Sequence, residues 1–305
     1  MLLSILIVNY NGLRFLRDCL ESVEKHVACD HEVIVVDNAS VDGSVAFLRE
    51  HYPHVRLIAS ATNTGFTGGN NIAAEAARGE LLLLLNNDTV ILSPIQPALD
   101  ALAPPRVGIV GVHLQYANGA NQASAGYAHT PARLLLSWLG LSGLRFLPDV
   151  FRRVETREQF YRANKSGLDW VSGAFLLTRR ALWSRLGGLD ERYFMYVEDV
   201  DYCHRVKQEG YSIDYVANVD VLHYEGAGKL WIGETALLRT MNSYSLFLRK
   251  YHSAPVARLT QAALGLVMGG RALAYLLRSL SSKSVVVGEK KQAYFKAARY
   301  LLSAG

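Results

Sequence analysis

The sequence contains few cysteines, and their spacing does not fit a shared role. There are three in 305 residues, Cys19, Cys29 and Cys203, with no C-x-x-C pair among them. An odd number without such a pair argues against a disulfide framework and against a zinc ribbon. We therefore expect an ordinary hydrophobic core in a reducing compartment, which predicts a cytoplasmic protein.

Two nucleotide-binding signatures are also absent. The first apolar run is followed by NYNG instead of G-x-G-x-x-G, the dinucleotide fingerprint. A G-x-x-x-x-G-K-[ST] loop would need a glycine where His223 stands and a hydroxyl residue where Leu230 follows Gly228 and Lys229. Hydride transfer and P-loop chemistry both explain this chain poorly.

The start of the chain does not have the pattern of a targeting segment. MLLSILIVNYNG has no basic stretch before its apolar run, and that run stops at Asn9. We expect a first β-strand there. Half of the residues are hydrophobic and 19% are charged, so the chain can form one large domain, or one domain with an appendage.

Positive charge is concentrated at one end of the chain. The formal net charge is +5, yet residues 249–305 hold ten Lys and Arg against one acid, a net of +9. The preceding 248 residues hold 22 bases and 26 acids. The basic excess therefore belongs to the tail.

Apolar runs alternate with helix-like periods over the first 113 residues. The predicted strands are residues 2–9, 32–37, 55–60, 81–85 and 107–112, and the predicted helices are residues 13–27, 45–50 and 70–78. Such alternation predicts a parallel sheet with helices on both faces, and the continuous apolar strands fit burial on both sides.

Three of these strands end in short polar side chains. Asn9, Asp37 and the run 86–88 (Asn-Asn-Asp) follow buried segments directly. Ligands of open α/β sheets bind beyond the carboxyl ends of the strands, so these ends are expected to meet in one crevice. Asp88 could hold Mg²⁺ or Mn²⁺ through oxygen, and Asp37 could accept hydrogen bonds from a base or ribose. Turn formation alone would also favour Asn and Asp at such positions.

The second half of the chain is less regular. Residues 117–166 show no clean period and are predicted to form an insertion or lid. The following predictions are a strand within 168–178, a helix from about 179 to the glycines at 187 and 188, a helix at 198–209, strands at 212–216 and 219–223, and helices beyond 234.

Three acids stand at the start of the helix predicted for 198–209. Glu198, Asp199 and Asp201 could simply complement the helix dipole. One or two acids suffice for that role, so a remaining carboxylate could act as a general base.

Seven segments together carry a family resemblance over roughly residues 4–230. They are SILIVNYNG (4–12), VIVVDNASVDGS (33–44), NTGFTGGNN (63–71), LLLLLNNDT (81–89), WVSGAFLLTRR (170–180), GGLDERYFMYVEDVDYCHRV (187–206) and VLHYEGAGK (221–229). In this order they resemble family 2 nucleotide-sugar glycosyltransferases of the GT-A type, in the rhamnosyltransferase-like branch.

The resemblance implies an α/β fold of the GT-A (Rossmann-like) kind, a mostly parallel sheet flanked by helices with a C-terminal helical appendage. It implies a catalytic domain at 1–232, with 117–166 as an acceptor-side lid, and a basic helical region at 233–305. The implied reaction is inverting transfer of a sugar from a UDP- or dTDP-linked donor to a hydroxyl of a glycan or lipid-linked acceptor in surface polysaccharide synthesis.

The same resemblance assigns roles to individual residues. Asp88 and His223 would hold Mg²⁺ or Mn²⁺, although Asn86 stands where the first acid of a D-x-D motif is expected. Asp199 would be the catalytic base. The implied nucleotide-binding residues are Val8, Tyr10, Asp37, Asn63, Asn71 and Asn87, with Tyr10 able to stack on the base. The implied sugar or acceptor residues are Trp170, Gly173, Ala174 and Glu198.

Two other functions stay open at this point. A nucleotidyltransferase of sugar phosphates would want a glycine-rich basic loop after the first strand, where NYNGLR stands. A non-catalytic glycan- or nucleotide-binding subunit should have lost Asp88 or Asp199, and both are present. A processive polysaccharide synthase is disfavoured because there is no Q-x-x-R-W and no block of membrane helices.

The basic tail suggests further partners. Apolar faces interleaved with Lys and Arg suit helices that lie on an anionic membrane, which predicts a peripheral location on the inner face of the cell membrane. The uncharged run 259–270 alone is too short to span a bilayer, which takes about 20 residues. The same apolar faces could instead pack on the catalytic domain or form a homodimer. No nucleic-acid partner is expected.

Overall fold

The computed structural model describes residues 2–144, 147–148, 151–224, 233–281 and 284–303. The chain forms two compact units. Unit 1 comprises Met1–Ala128, Glu155–Phe194 and Glu198–Ala227, and unit 2 comprises His129–Val154, Met195–Val197 and Gly228–Gly305. The predicted lid at 117–166 is thus divided between the two units.

Among the described residues, unit 1 contains all the strands and six α-helices. The strands are β1 (Leu3–Asn9), β2 (His31–Asp37), β3 (Arg56–Ala59), β4 (Leu81–Asn86), β5 (Thr89–Ile91), β6 (Val107–Gln115), β7 (Asn121–Gln122), β8 (Ala125–Gly126), β9 (Trp170–Val171), β10 (Phe175–Arg179) and β11 (Ser212–His223). The helices are α1 (Leu13–His26), α2 (Ser44–His51), α3 (Gly65–Ala76), α4 (Gln96–Leu102), α6 (Arg180–Leu186) and α7 (Glu198–Gln208).

The main sheet is mixed and mostly parallel. Its order is β3-β2-β1-β4-β10-β6-β11-β5, with β7 added to β6, while β8 and β9 form a separate pair. Strands β3, β2, β1 and β4 run parallel, as do β6 and β11; β10 and β5 run antiparallel to their neighbours. Leu81–Leu85 of β4 are at most 3% exposed, as expected of a strand that is covered on both faces. The predicted fold class is therefore confirmed.

The order of the strands brings the three polar ends together. Strand β1 lies between β2 and β4, with Asn9 paired to Asp37 and Val8 paired to Asn86. Parallel neighbours place their carboxyl ends on the same edge of the sheet, as the sequence predicted.

Several predicted boundaries differ in the structure. The two strands predicted at 212–216 and 219–223 are one strand, β11, whose pairing with β6 is irregular between Val216 and Asp220. The strand predicted within 168–178 is interrupted at 172–174, between β9 and β10. Helix α3 begins at Gly65 and not at residue 70, and both β5 and α4 lack a counterpart in the prediction.

Unit 2 is helical in its described residues. Its helices are α5 (Pro131–Trp138), α8 (Gly233–Tyr251), α9 (Ala254–Ser281) and α10 (Val285–Ser303). Their core includes Leu134, Met241, Leu264 and Leu301. In length and composition, the 27 residues Ala254–Leu280 would suffice to cross a membrane. Residues 225–232, which hold the end of the seventh segment with Gly228 and Lys229, lie outside the described residues.

Candidate active site

Asn9 joins the three strand ends by hydrogen bonds. Its side chain is fully buried, and its Nδ2 donates to Asp37 Oδ2 at 2.8 Å and to Ser40 Oγ at 3.2 Å. Its Oδ1 accepts from Asn87 Nδ2 at 2.7 Å. The loops after β1, β2 and β4 are therefore held in one arrangement by a single amide, which the sequence did not single out as a site residue.

Glycine at position 12 leaves room for this arrangement. A Cβ at Gly12 would lie 2.0 Å from Asn87 Nδ2 and 2.6 Å from Asn9 Oδ1. Any side chain there would break the Asn87–Asn9 bond. The glycine of NYNG thus serves close packing of the loop after β1.

The predicted nucleotide residues at the ends of β1 and β2 differ in exposure. Asp37 is 1% exposed, and its Oδ1 also accepts from the Ser40 amide at 2.9 Å. The Tyr10 ring is 53% exposed and so has a face open to a ligand. Val8 lies against Gly69, where a Cβ would approach its methyl groups to 2.7 Å.

Asn63 and Asn71, the two other predicted asparagines, hold the start of α3 and the segment at Leu189 in place. Asn63 Oδ1 accepts from the Gly65 amide at 2.9 Å, which starts the helix. Asn71 donates to the Leu189 carbonyl and accepts from the Leu189 amide, both at 2.9 Å. Asn38 was not predicted, yet it is buried and donates to the Gly65 carbonyl at 2.7 Å.

The tip of β4 faces the end of β11. His223 is buried, and its Nε2 lies 3.2 Å from Asp88 Oδ1. Asn86 Nδ2 lies 3.1 Å from the same nitrogen, and Gln122 Oε1 lies 3.0 Å from His223 Nδ1. With the proton on Nδ1, His223 donates to Gln122 Oε1, and the single lone pair of its Nε2 accepts from Asn86 Nδ2 close to the Asp88 carboxylate.

This group of atoms fits a divalent cation. Asp88 Oδ1 and His223 Nε2, both able to bind a cation, lie 3.2 Å apart, and the buried Asn86 Oδ1 has no hydrogen-bond partner among the described residues. Adjacent ligands of an octahedral cation with bonds of about 2.1 Å are about 3 Å apart. Among the described residues no group of three His, Cys, Asp or Glu could hold a metal. A cation here would therefore draw further ligands from a bound molecule.

A turn between β9 and β10 connects the predicted base to β4. The Gly173 amide donates to Asp199 Oδ2 at 2.9 Å. The carbonyl of the next residue, Ala174, accepts from the backbone N–H of Asn86 at 3.1 Å. Two consecutive small residues therefore bring Asp199 and the Asp88 segment to one edge of the sheet.

The three acids of α7 have different environments. Asp199 is half-buried, and its Oδ1 also accepts from the Val200 amide at 2.8 Å. Asp201 is fully buried and bonded to Arg205 at 2.8 Å. Glu198 is buried, and within the described part of the chain its Oε2 has no hydrogen-bond partner. Loss of hydration, with repulsion from Asp199 and Asp201, raises the pKa of Glu198 well above its ordinary value. The Glu198 carboxyl therefore favours its neutral form more than an exposed glutamate does, whereas Asp199 accepts hydrogen bonds from two backbone amides.

The backbone before these acids is strained. Tyr196 and Val197 have φ values of 71° and 69°, in a region that side chains rarely adopt. A β-branched residue there is unusual, and such strain concentrates at functional sites.

Trp170, one of the predicted sugar or acceptor residues, is 8% exposed, and its Nε1 donates to the Tyr127 carbonyl at 3.1 Å.

Comparison with known proteins gives a consistent result. Residues 4–183 match the model of the family described as Glycosyl transferase family 2. The chain is 30% identical over 227 residues to N-acetylglucosaminyl-diphospho-decaprenol L-rhamnosyltransferase of Mycobacterium tuberculosis, covering 70% of this chain and 71% of the relative.

Two solved structures share the fold. Mannosyltransferase PcManGT of Pyrobaculum calidifontis, in complex with GDP-Man and Mn²⁺, aligns with a TM-score of 0.58 and 18% identity, covering 99% of this chain and 86% of that one. Residues 1–349 of TarS of S. aureus, in complex with UDP, align with a TM-score of 0.53 and 13% identity, covering 100% and 91%.

Proposed function

Because the chain belongs to glycosyl transferase family 2 and is a glycosyltransferase of the GT-A fold, we propose that it transfers a sugar with inversion, from a UDP- or dTDP-linked donor to a hydroxyl of a glycan or lipid-linked acceptor. The product would be a cell-surface polysaccharide precursor. The observation that carries this proposal is the pair of hydrogen bonds through Gly173 and Ala174, which ties the Asp199 carboxylate to the end of β4.

The nucleotide would lie along the carboxyl ends of β1 and β2. Tyr10 offers an exposed ring for stacking, and Val8 and Asp37 lie beside it in the sheet. Asn87, Asn63 and Asn71 hold the surrounding loops in place.

The diphosphate would lie at the tip of β4. Asp88 and His223 would hold Mg²⁺ or Mn²⁺, which supplies positive charge to the departing nucleoside diphosphate. The Mn²⁺ in the related mannosyltransferase complex supports this assignment. The Asn86 side-chain amide, which donates to His223 Nε2, would turn away to free that lone pair for the cation.

Asp199 would act as the base. It takes the proton of the acceptor hydroxyl as that oxygen attacks the anomeric carbon, whose bond to the diphosphate oxygen breaks. The backbone amides of Gly173 and Val200 hold the carboxylate in place. Small side chains at 173 and 174 leave space for the sugar or acceptor, and Glu198 and Trp170 would contact the same molecules less directly.

The membrane is the remaining proposed partner. The relative from M. tuberculosis is named for a decaprenol-linked acceptor, which supports a lipid-linked acceptor for this chain. A tail with a net charge of +9 would keep the enzyme on the anionic inner face of the cell membrane. The division of roles between a catalytic part at 1–232 and a membrane-directed part at 233–305 belongs to the same proposal.

The test is a donor panel with the purified chain and its Asp199→Asn variant. We expect release of one nucleoside diphosphate with a suitable acceptor, an inverted anomer by NMR, and a loss of about 10²-fold or more in Asp199→Asn with donor binding retained. Glu209→Gln, just beyond the other end of α7, is the matched control. Pyrophosphate release would indicate nucleotidyl transfer instead. Near-normal turnover of Asp199→Asn together with an inactive Glu198→Gln would move the base to Glu198, and full activity in excess EDTA would refute the metal assignment.

A further inference from the structure

Helix α9 exposes one continuous apolar face. Leu259, Leu266, Leu273 and Leu280 recur every seven residues and are 71%, 69%, 56% and 79% exposed. A seven-residue repeat drifts by only about 20° per repeat, so the four side chains form one row along the helix. At 1.5 Å per residue the row is about 32 Å long. We call these four residues the leucine row.

The opposite face of α9 belongs to the core of unit 2. Ala257, Leu264, Met268 and Ala272 are at most 7% exposed and pack in a cluster with residues of α8 and α10. A helix that spans a membrane is surrounded by lipid or by other membrane-buried segments. One side of α9 instead packs on the amphipathic helices α8 and α10. Its length alone is thus a poor reason to expect a membrane crossing.

Charge is distributed around the leucine row in a distinct way. Arg258 and Arg278 are exposed near its two ends, and α9 contains no Asp or Glu. Arg271, between them, is directed into the protein, where its guanidinium bonds to Tyr294 and lies over the Trp138 ring. The exposed face is therefore apolar along its middle and cationic at both ends.

This charge pattern discriminates between two possible occupants. A second copy of the chain would bring two tails of net +9 together, with no acid on α9 to pair with Arg258 or Arg278 across the interface. Helix pairs normally use opposite charges beside the apolar seam. An anionic bilayer satisfies both features, because headgroups pair with the arginines while the acyl boundary accepts the leucines.

We propose that α9 lies flat in the interface of an anionic bilayer, with the leucine row below the headgroups and Arg258 and Arg278 among them. The inference deepens the proposed membrane association and rests on that part of the proposed function alone. It does not depend on the donor, the metal or the base.

The first experiment measures sedimentation of the full-length chain with vesicles of phosphatidylcholine, with and without 30% phosphatidylglycerol. Leu266→Ser/Leu273→Ser should lower partitioning onto anionic vesicles by about tenfold or more, since two buried leucines are lost. Leu92→Ser, an exposed leucine of unit 1, should not. Arg258→Gln/Arg278→Gln should lower partitioning by about tenfold or more. The charge-matched pair Arg17→Gln/Arg162→Gln, both exposed in unit 1, should not.

A second experiment measures depth and orientation. The variants Leu259→Cys and Leu280→Cys, each in a chain whose native cysteines are replaced by serine, carry a fluorophore that is quenched by lipids labelled at known depths. Equal shallow depths at both positions support a flat helix. Unequal depths, or access from the opposite leaflet, would overturn it in favour of spanning.

Self-association is measured on the same proteins by light scattering without lipid. A dimer that dissociates in Leu266→Ser/Leu273→Ser would assign the leucine row to a second copy and refute the bilayer assignment. Equal vesicle binding by wild type and both double variants would refute it as well. Circular dichroism and the transferase assay without membranes establish that each variant is folded, and they do not depend on the membrane.

Discussion

Replacing Asn9 by alanine should disorder the active-site edge more than the same replacement at any other asparagine of the candidate site. The side chain is fully buried and makes three hydrogen bonds, to Asp37, Ser40 and Asn87. Removing it leaves the buried Asp37 carboxylate without one of its donors.

The size of the stability loss depends on which of the former hydrogen-bond partners can bond to water instead. The lost bond to Asp37 involves a charged acceptor and is worth about 1.5–3 kcal/mol. Asn87 is half-buried and can turn toward water, so its loss adds about 1 kcal/mol or less. We therefore expect Asn9→Ala to lower the free energy of unfolding by about 2–4 kcal/mol. Donor affinity should fall with it, since the loops after β1, β2 and β4 lose their common tie.

An isosteric variant separates charge from shape. Asn9→Asp keeps the acceptor for Asn87 but places a carboxylate where an amide lies 2.8 Å from Asp37 Oδ2. Two carboxylates at that distance cannot both ionise, so the pair binds a proton in the folded state that the unfolded chain releases near its ordinary pKa. The stability deficit of Asn9→Asp should therefore grow as pH rises above about 4 and shrink toward acid pH.

Urea unfolding of wild type and both variants between pH 4 and pH 8 measures these differences, and calorimetric titration with UDP measures donor-site order. Asn118→Ala, which removes one exposed amide contact, is the control for an ordinary asparagine. The reasoning fails if Asn9→Ala costs no more than Asn118→Ala. It also fails if the deficit of Asn9→Asp is independent of pH.

Three further predictions concern other parts of unit 1. Gln122→Ala should weaken Mn²⁺ binding in the presence of UDP by about 10–100-fold, because His223 loses the acceptor that fixes its tautomer. Electron paramagnetic resonance measures this binding, and Gln122→Glu should retain it. Unchanged binding in Gln122→Ala would contradict the role of Gln122. Because the pKa of Glu198 is raised in the folded state, its contribution to the free energy of unfolding is fully present below the unfolded pKa of about 4.3 and is lost as pH rises. The free energy of unfolding of Glu198→Gln relative to wild type should therefore rise by up to about 1.4 kcal/mol per pH unit above that point. A flat pH profile in urea unfolding would refute the burial argument. In thermal unfolding, Gly65→Ala should lower the stability of the fold by about 2 kcal/mol or more beyond the effect of Gly119→Ala. Both glycines have φ of +76°, but only at 65 would the Cβ meet a backbone oxygen, at 2.2 Å. Equal effects of the two substitutions would show that the loop relaxes.

Much of the first half of the fold could be predicted from local sequence. Continuous apolar runs such as residues 81–85 specify strands covered on both faces, and their polar ends specify where the chain leaves the sheet. The later boundaries could not be predicted in this way. Strand β11 continues through residues 217–218 because β6 pairs with both of its halves, and a strand within 168–178 is broken because 172–174 bond to other segments instead.

The sequence predicts which residue types the candidate site would use, and it does not predict how those residues are connected. The sequence by itself placed Asp37 and Asp88 directly after apolar runs and Asp199 at the start of a predicted helix. It also placed the basic excess in the tail. The tertiary structure decided that Asn9 joins the strand ends, that Gln122 faces His223, and which side of α9 is left uncovered. It also decided that Glu198 is buried near Asp199 and Asp201, which raises the pKa of Glu198. These features depend on burial and on hydrogen bonds between residues up to 101 positions apart, and no local pattern encodes such partners.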